Sequence, residues 1–167
     1  MKNISFAFLL LCLPALVSCA GFAPVYGQNS SFRTALADIR LESISGRNGF
    51  TLAQELSDRA SIQVGHGGAY QLKVSLRSNR SGLAVRIDNV ATRYEIEMVA
   101  SWQLLDAKGK KLTSMVARST SSFDSPDNPY ASQVAEQDAE DRTIAMVSDM
   151  MLDQLAFYFA AHPAPVK

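Results

Sequence analysis

Between Thr92 and Leu104 one pattern constrains the fold more than any other. Tyr94, Ile96, Met98, Ala100, Trp102 and Leu104 occupy every second position, and Arg93, Glu95, Glu97, Ser101 and Gln103 lie between them. In a strand successive side chains point to opposite faces, so this period of two puts six apolar groups on one side and polar groups on the other. A helix would scatter the six around its circumference. The segment predicts a long strand with one apolar face, and a sheet built on it needs a cover on that face.

Other segments repeat the pattern. Residues 37–44 set Ala37, Ile39 and Leu41 against Asp38, Arg40 and Glu42, and from Tyr70 the set Tyr70, Leu72, Val74, Leu76 alternates with Gln71, Lys73, Ser75, Arg77. Leu112 to Phe123 reads as a further strand whose phase slips near Met115 and Val116, which suggests a bulge. Thr51 followed three residues later by Gln54 has capping-box spacing, and Leu52, Ala53, Leu56 and Ala60 then share a helical face. Asp124 to Pro129 reads as a loop. From about Ala131 to Phe159 there is no glycine or proline, and Ile144, Val147, Met151, Leu155 and Tyr158 recur at spacings of three and four. Glu136, Asp138, Glu140 and Asp141 lie toward the helix's positive end. The expected fold is α+β: a two-layer sandwich in the order β-α-β-β-β-α, with a mostly antiparallel four-stranded sheet covered on one face by two helices.

The amino terminus reads as a targeting segment. Lys2 precedes an apolar run from Ile4 to Val17 that contains Pro14 and falls short of the about 20 residues a spanning helix needs. Leu16-Val17-Ser18-Cys19 resembles the bacterial lipobox, which implies cleavage before Cys19 and a lipidated cysteine carrying S-diacylglycerol and an N-acyl chain such as palmitate. One acyl chain binds a bilayer only marginally, whereas several hold permanently. Ala20 rather than aspartate after the cysteine points to the periplasmic side of the outer membrane. The expected organisation is a signal peptide over 1–18, a lipidated linker over 19–34, one α+β domain over 35–160 and a short tail over 161–167.

Composition narrows the function. Removing residues 1–18 leaves 149 residues, enough for one domain with one core. The remaining part has 15 basic and 16 acidic side chains, a balance with no global pull on nucleic acid. Cys12 leaves with the signal and Cys19 is taken up by lipid, so disulfides, thiolate metal sites and cysteine nucleophiles are excluded from the mature domain.

Several features then converge: Gly21-Phe22 and Pro24-Val25-Tyr26-Gly27 after Cys19, Arg93-Tyr94 entering the long strand, Asp127-Asn128-Pro129 before the last helix, and Glu136-Gln137-Asp138 near its start. Together with the element order they resemble the LptE family of lipopolysaccharide-assembly lipoproteins, over residues 19–159. The resemblance implies a non-enzymatic lipoprotein that helps assemble and plugs the large outer-membrane barrel LptD and contacts lipopolysaccharide in transit. In the family, basic side chains at the end of the second-to-third strand hairpin are associated with the anionic head. The matching segment here offers Arg77, Arg80 and Arg86, of which Arg86 best fits the family position. Arginine's planar fork suits phosphate. Residues 131–141 contain no lysine or arginine where the family carries a second basic residue.

Other chemistry is poorly supported. His66-Gly67-Gly68 is similar to the oxyanion turn of some lipases, but no Gly-x-Ser-x-Gly elbow accompanies it. His66 and His162 are the only histidines, which argues against a histidine metal site. Asp124 and Asp127 read as turn residues. No cofactor or catalytic residue is expected. The alternative to a barrel partner is a lipid-anchored periplasmic module that binds a small apolar ligand between helices and sheet, lined by Trp102, Tyr94 and the methionines at 98, 146, 150 and 151. The period of these residues favours an ordinary core.

Overall fold

The alternation from Tyr94 to Leu104 forms the middle strand of a long antiparallel meander in the computed structural model, which describes residues 31–65, 68–85 and 91–162. In chain order the elements are α1 (Ser31–Ala37), β1 (Ile39–Leu41), α2 (Gly46–Ala60), β2 (Gln63–Val64), β3 (Tyr70–Val85), β4 (Ala91–Asp106), β5 (Lys111–Asp124) and α3 (Pro129–Ala161). The signal segment, Cys19, Arg86, His66 and the last five residues lie outside the described residues, and the expected linker boundary at residue 34 falls inside α1.

The α+β class stands, but the sheet departs from the expectation of four mostly antiparallel strands. It has five strands in the order β2-β1-β3-β4-β5 and is mixed. β1 runs parallel to β2 and to β3, pairing Leu41 with Val64 and with Leu72. The cause is connectivity: the chain leaves β1 through α2 and returns beside it, and a crossover of this length joins parallel neighbours where a tight hairpin cannot. β2 is two residues long with both side chains exposed, so it carries no periodicity. Gly68 makes the return possible. Its φ of +92° suits glycine alone, and a Cβ there would collide with the Asp38 carbonyl oxygen.

The inner face of the meander is ordered by register. Leu72 pairs with Leu104, Val74 with Trp102, Leu76 with Ala100, Ser78 with Met98, Arg80 with Ile96 and Gly82 with Tyr94. On the other side of β4, Tyr94 pairs with Phe123, Met98 with Ser119, Ala100 with Ala117 and Trp102 with Met115. No register shift occurs at Met115 or Val116; the irregularity lies between Leu104 and Leu105. The shift leaves Leu112 unpaired, and alternation holds from Thr113 to the end of β5. The apparent slip arises because Val116 is an apolar residue on the open face, where it is exposed.

Helices cover the inner face only. α3 contributes Ile144, Val147, Met151, Leu155 and Phe159 to the core, and α2 contributes Leu52, Ala53 and Leu56. The indole of Trp102 is fully buried, and its Nε1–H donates to Gln154 Oε1 on α3 at 2.8 Å. The Nε2 of the same amide donates to the Val116 carbonyl at 3.0 Å, so one side chain satisfies a buried donor and ties α3 to β5.

The helix starts differ from those expected. α2 begins at Gly46, and Thr51 does not cap it: its hydroxyl bonds back to the Arg47 carbonyl at 3.3 Å. α3 begins at Pro129, with Asn128 as N-cap accepting from Tyr130 N at 2.9 Å and Ala131 N at 3.3 Å. Its first turn holds no acid. Of the acids from Glu136 to Asp141, Glu136 pairs with Arg80, Glu140 and Asp141 pair with Arg47, and Asp138 pairs with Arg142 on the same helix.

Candidate functional site

Toward the β3–β4 hairpin end the inner face changes from apolar to polar. Leu72, Val74 and Leu76 give way along β3 to Ser78, Arg80 and Gly82, while β5 presents Ser119 and Ser121 before Phe123. A charged side chain on a face that helices cover needs a partner, and Arg80 has several. One Nη1 lies 3.0 Å from each carboxylate oxygen of Glu136 on α3. Its guanidinium carbon sits 3.9 Å from the centroid of the Tyr94 ring and 5.6 Å from that of Phe123. The two rings are stacked with centroids 5.5 Å apart. Sheet and helix are thus joined by an arginine that donates to a carboxylate through its edge and rests its face on an aromatic ring.

The three arginines singled out from the sequence therefore have different surroundings. Arg80 is held by Glu136 and Tyr94. Arg77 lies on the opposite, open face, exposed and without an ion-pair partner among the described residues. Arg86 lies outside the described residues, as does the lipidation candidate Cys19.

The open face is polar and mixed in charge. Arg118 meets Glu97 at 3.2 Å, Arg93 lies 3.8 Å from Asp124 and donates to Ser122 Oγ at 3.2 Å, and Lys73 meets Glu42 at 3.5 Å. These exposed pairs contribute little stability each, typically below about 1 kcal/mol. Their effect is to keep a wide, uncovered sheet wettable.

Clefts open from the surface among the described residues. A larger one of about 400 Å3 lies where β3 faces the start of α2 and is lined by Ser45, Arg47, Asn48, Leu76, Ser78 and Glu140. Arg47 donates to Glu140 at 2.8 Å and Asn48 to the same carboxylate at 3.3 Å. A smaller one of about 220 Å3 lies by Arg40, Gly68, Tyr70 and Asp106. Neither is an enclosed apolar chamber of the kind a small apolar ligand needs. Trp102, Met98 and Met151 pack in the core, Tyr94 is taken up by Arg80, and Met146 and Met150 are exposed on α3. Among the described residues no three of His, Cys, Asp and Glu converge as metal ligands do. Sequence reasoning missed Glu136 as the partner of Arg80; the two are 56 positions apart, and only the path of α3 across the sheet brings them together.

Comparison with known proteins adds the family context. The family model described as LptE, lipopolysaccharide-assembly, matches residues 36–155. A lipoprotein of known structure from Caulobacter crescentus CB15 is similar at 29% identity and a TM-score of 0.65, over 77% of this chain and 96% of its own. Rare lipoprotein B from Shewanella oneidensis shares the fold at 13% identity and a TM-score of 0.58, over 75% of this chain and 99% of its own. Lipoprotein B from Nitrosomonas europaea does so at 15% identity and 0.59, over 74% of this chain and 85% of its own. No curated protein sequence matches the chain.

Proposed function

Because the chain belongs to the LptE family of lipopolysaccharide-assembly lipoproteins, we propose that it assists assembly of the outer-membrane barrel LptD and plugs it, tethered on the periplasmic side by lipid on Cys19. The observation that carries this reading is the family match across residues 36–155, which takes in nearly every element of the fold. The family is one of assembly proteins without catalytic activity, and the proposal invokes no covalent chemistry beyond the anchor.

The physical form supports a plug. Helices cover one face of the sheet, and the other is a broad polar surface whose charges are mostly paired. A barrel lumen is itself polar, so such a face can meet it without burying unpaired charge. For lipopolysaccharide, Arg77 and Arg86 are the proposed phosphate contacts. Arg80 already has a carboxylate and an aromatic ring, so its part is to hold the hairpin that carries the other two.

The test is purification of the full, lipidated chain from membranes in mild detergent. LptD should co-purify; its absence, with the chain itself intact in the membrane fraction, would overturn the barrel reading. Separately, Arg77→Glu and Arg86→Glu together should weaken lipopolysaccharide binding by about tenfold or more while the thermal transition is kept, since charge-assisted bonds to phosphate are lost. Unchanged binding would remove these arginines from the site.

A further inference from the structure

The two long edges of the sheet are finished differently. At β5 the helix α3 runs alongside, and Gln154 takes the Val116 carbonyl. At β3 only the first three residues, Tyr70 to Leu72, pair with β1. From Lys73 onward β3 has no neighbour on that side among the described residues, while β4 pairs with it along its length on the other.

The direction of the free groups follows from bonds at the paired end. Tyr70 N–H donates to the Asp38 carbonyl at 3.2 Å and the Leu72 carbonyl accepts from Glu42 N–H at 2.9 Å, both on the β1 side. Backbone groups alternate sides along a strand, so those of Val74, Leu76, Ser78, Arg80 and Gly82 point outward from the edge. Among the described residues they form a row of donors and acceptors without a backbone partner, of the kind that templates another strand. The larger cleft borders this row: Leu76 and Ser78 form one wall and the start of α2 the other.

Charge selects the occupant. β3 contains Lys73, Arg77 and Arg80 and no acidic residue. The nearest acid on the open face of β4, Glu97, pairs with Arg118 on β5, which leaves Arg77 uncompensated. On the cleft side the surroundings are different: Val74 and Leu76 pack against the core as partly buried apolar groups, and Glu140 lines the far wall. A second copy added edge to edge in antiparallel register would set basic side chains beside basic ones, which is destabilising.

We infer that the free edge of β3, from Val74 to Gly82, docks an extended segment of another protein that alternates acidic and apolar side chains. An acid meets Arg77 on the open face, where Lys73 is already paired with Glu42. The apolar groups enter the cleft against Leu76, away from Glu140, and the main chain extends the sheet by one strand. The inference shares Arg77 with the lipopolysaccharide reading, but the peptide test uses neither barrel nor lipopolysaccharide, so its failure leaves that reading standing.

Two capped octapeptides test it on the full chain, one alternating glutamate with valine and one alternating lysine with valine. The glutamate peptide should slow amide exchange at Leu76, Ser78 and Arg80 and leave β5 amides unchanged, and the lysine peptide should not. Ser78→Pro removes an outward donor at an edge position where proline is tolerated, and should cut affinity by about tenfold while the circular dichroism spectrum is kept. Arg77→Glu, which leaves the backbone untouched, should invert the preference between the peptides and so decides the matter if Ser78→Pro does not fold. Equal protection by both peptides, protection confined to β5, no protection by either, or concentration-dependent self-association that protects these amides would each overturn the inference.

Discussion

The inner face of the sheet is built by different physics at its two ends. At the end near Tyr70, Leu72, Leu104 and Trp102 are sealed under α3 by apolar contact, and Tyr70 meets Phe159 edge to face at 5.2 Å. At the hairpin end an arginine, a carboxylate and two rings do the joining. Apolar burial is non-directional and grows with area, so the first end tolerates small shifts but not loss of volume. The Arg80 cluster depends on direction and charge, and its arginine remains 43% exposed. Stability should therefore be spread over the whole domain at one end and local at the other.

Trp102→Ala makes the largest break. It removes a fully buried indole and orphans the Gln154 carbonyl, so a loss of about 3–5 kcal/mol is expected, read as a global shift in the denaturation midpoint and faster exchange throughout the core. If only amides near Trp102 responded, the claim that this end sets global stability would fail. Arg80→Ala should cost about 1 kcal/mol, with screening by solvent already discounted. Its effect should appear as faster exchange in residues 78–82, 94–96 and the first turns of α3, with the core unchanged. A global loss as large as that of Trp102→Ala would erase the distinction.

The smallest effect belongs to pH. Burial raises the pKa of the Tyr158 hydroxyl above its ordinary 10.0, with Tyr70 adding to the rise. The folded state then keeps this proton longer than the unfolded chain, so this group's contribution to stability is level below pH 10 and falls as pH increases beyond it. Tyr158→Phe should flatten that part of an alkaline denaturation curve, and an unchanged curve would assign the dependence to other groups.

The same contrast explains what was legible in the sequence. β3, β4 and the core face of α3 could be read because burial on one side imposes a period, and that period is local. β5 was legible except at Val116, whose exposed apolar side chain broke the expected phase. The parallel pairing of β1 could not be read, because nothing in Ile39, Arg40 and Leu41 specifies which neighbour they take; the path through α2 does. The start of α2 was missed because Ser45 makes no side-chain cap. The Arg80–Glu136 contact was invisible for another reason. Each residue alone suits a solvated surface, and only their meeting across the helix–sheet interface gives them a joint role. Arg77 was legible as a cation, but its position on the open face was not distinguished from that of Arg80 on the covered one.

β1 lies inside the sheet although it is the first strand of the chain, and both strands it pairs with come later, at Gln63–Val64 and Tyr70–Leu72. The antiparallel meander of β3, β4 and β5 joins neighbours in sequence and can zip locally, whereas β1 must be captured between partners that do not yet exist when it emerges. The amino-terminal end of the domain is thus expected to lock after the meander, an order that amide protection during refolding would check. Any force or restraint applied to that end acts first on α1, whose Ala35 and Leu36 are buried, and then on a three-residue strand, ahead of the meander that carries Arg77 and Arg80.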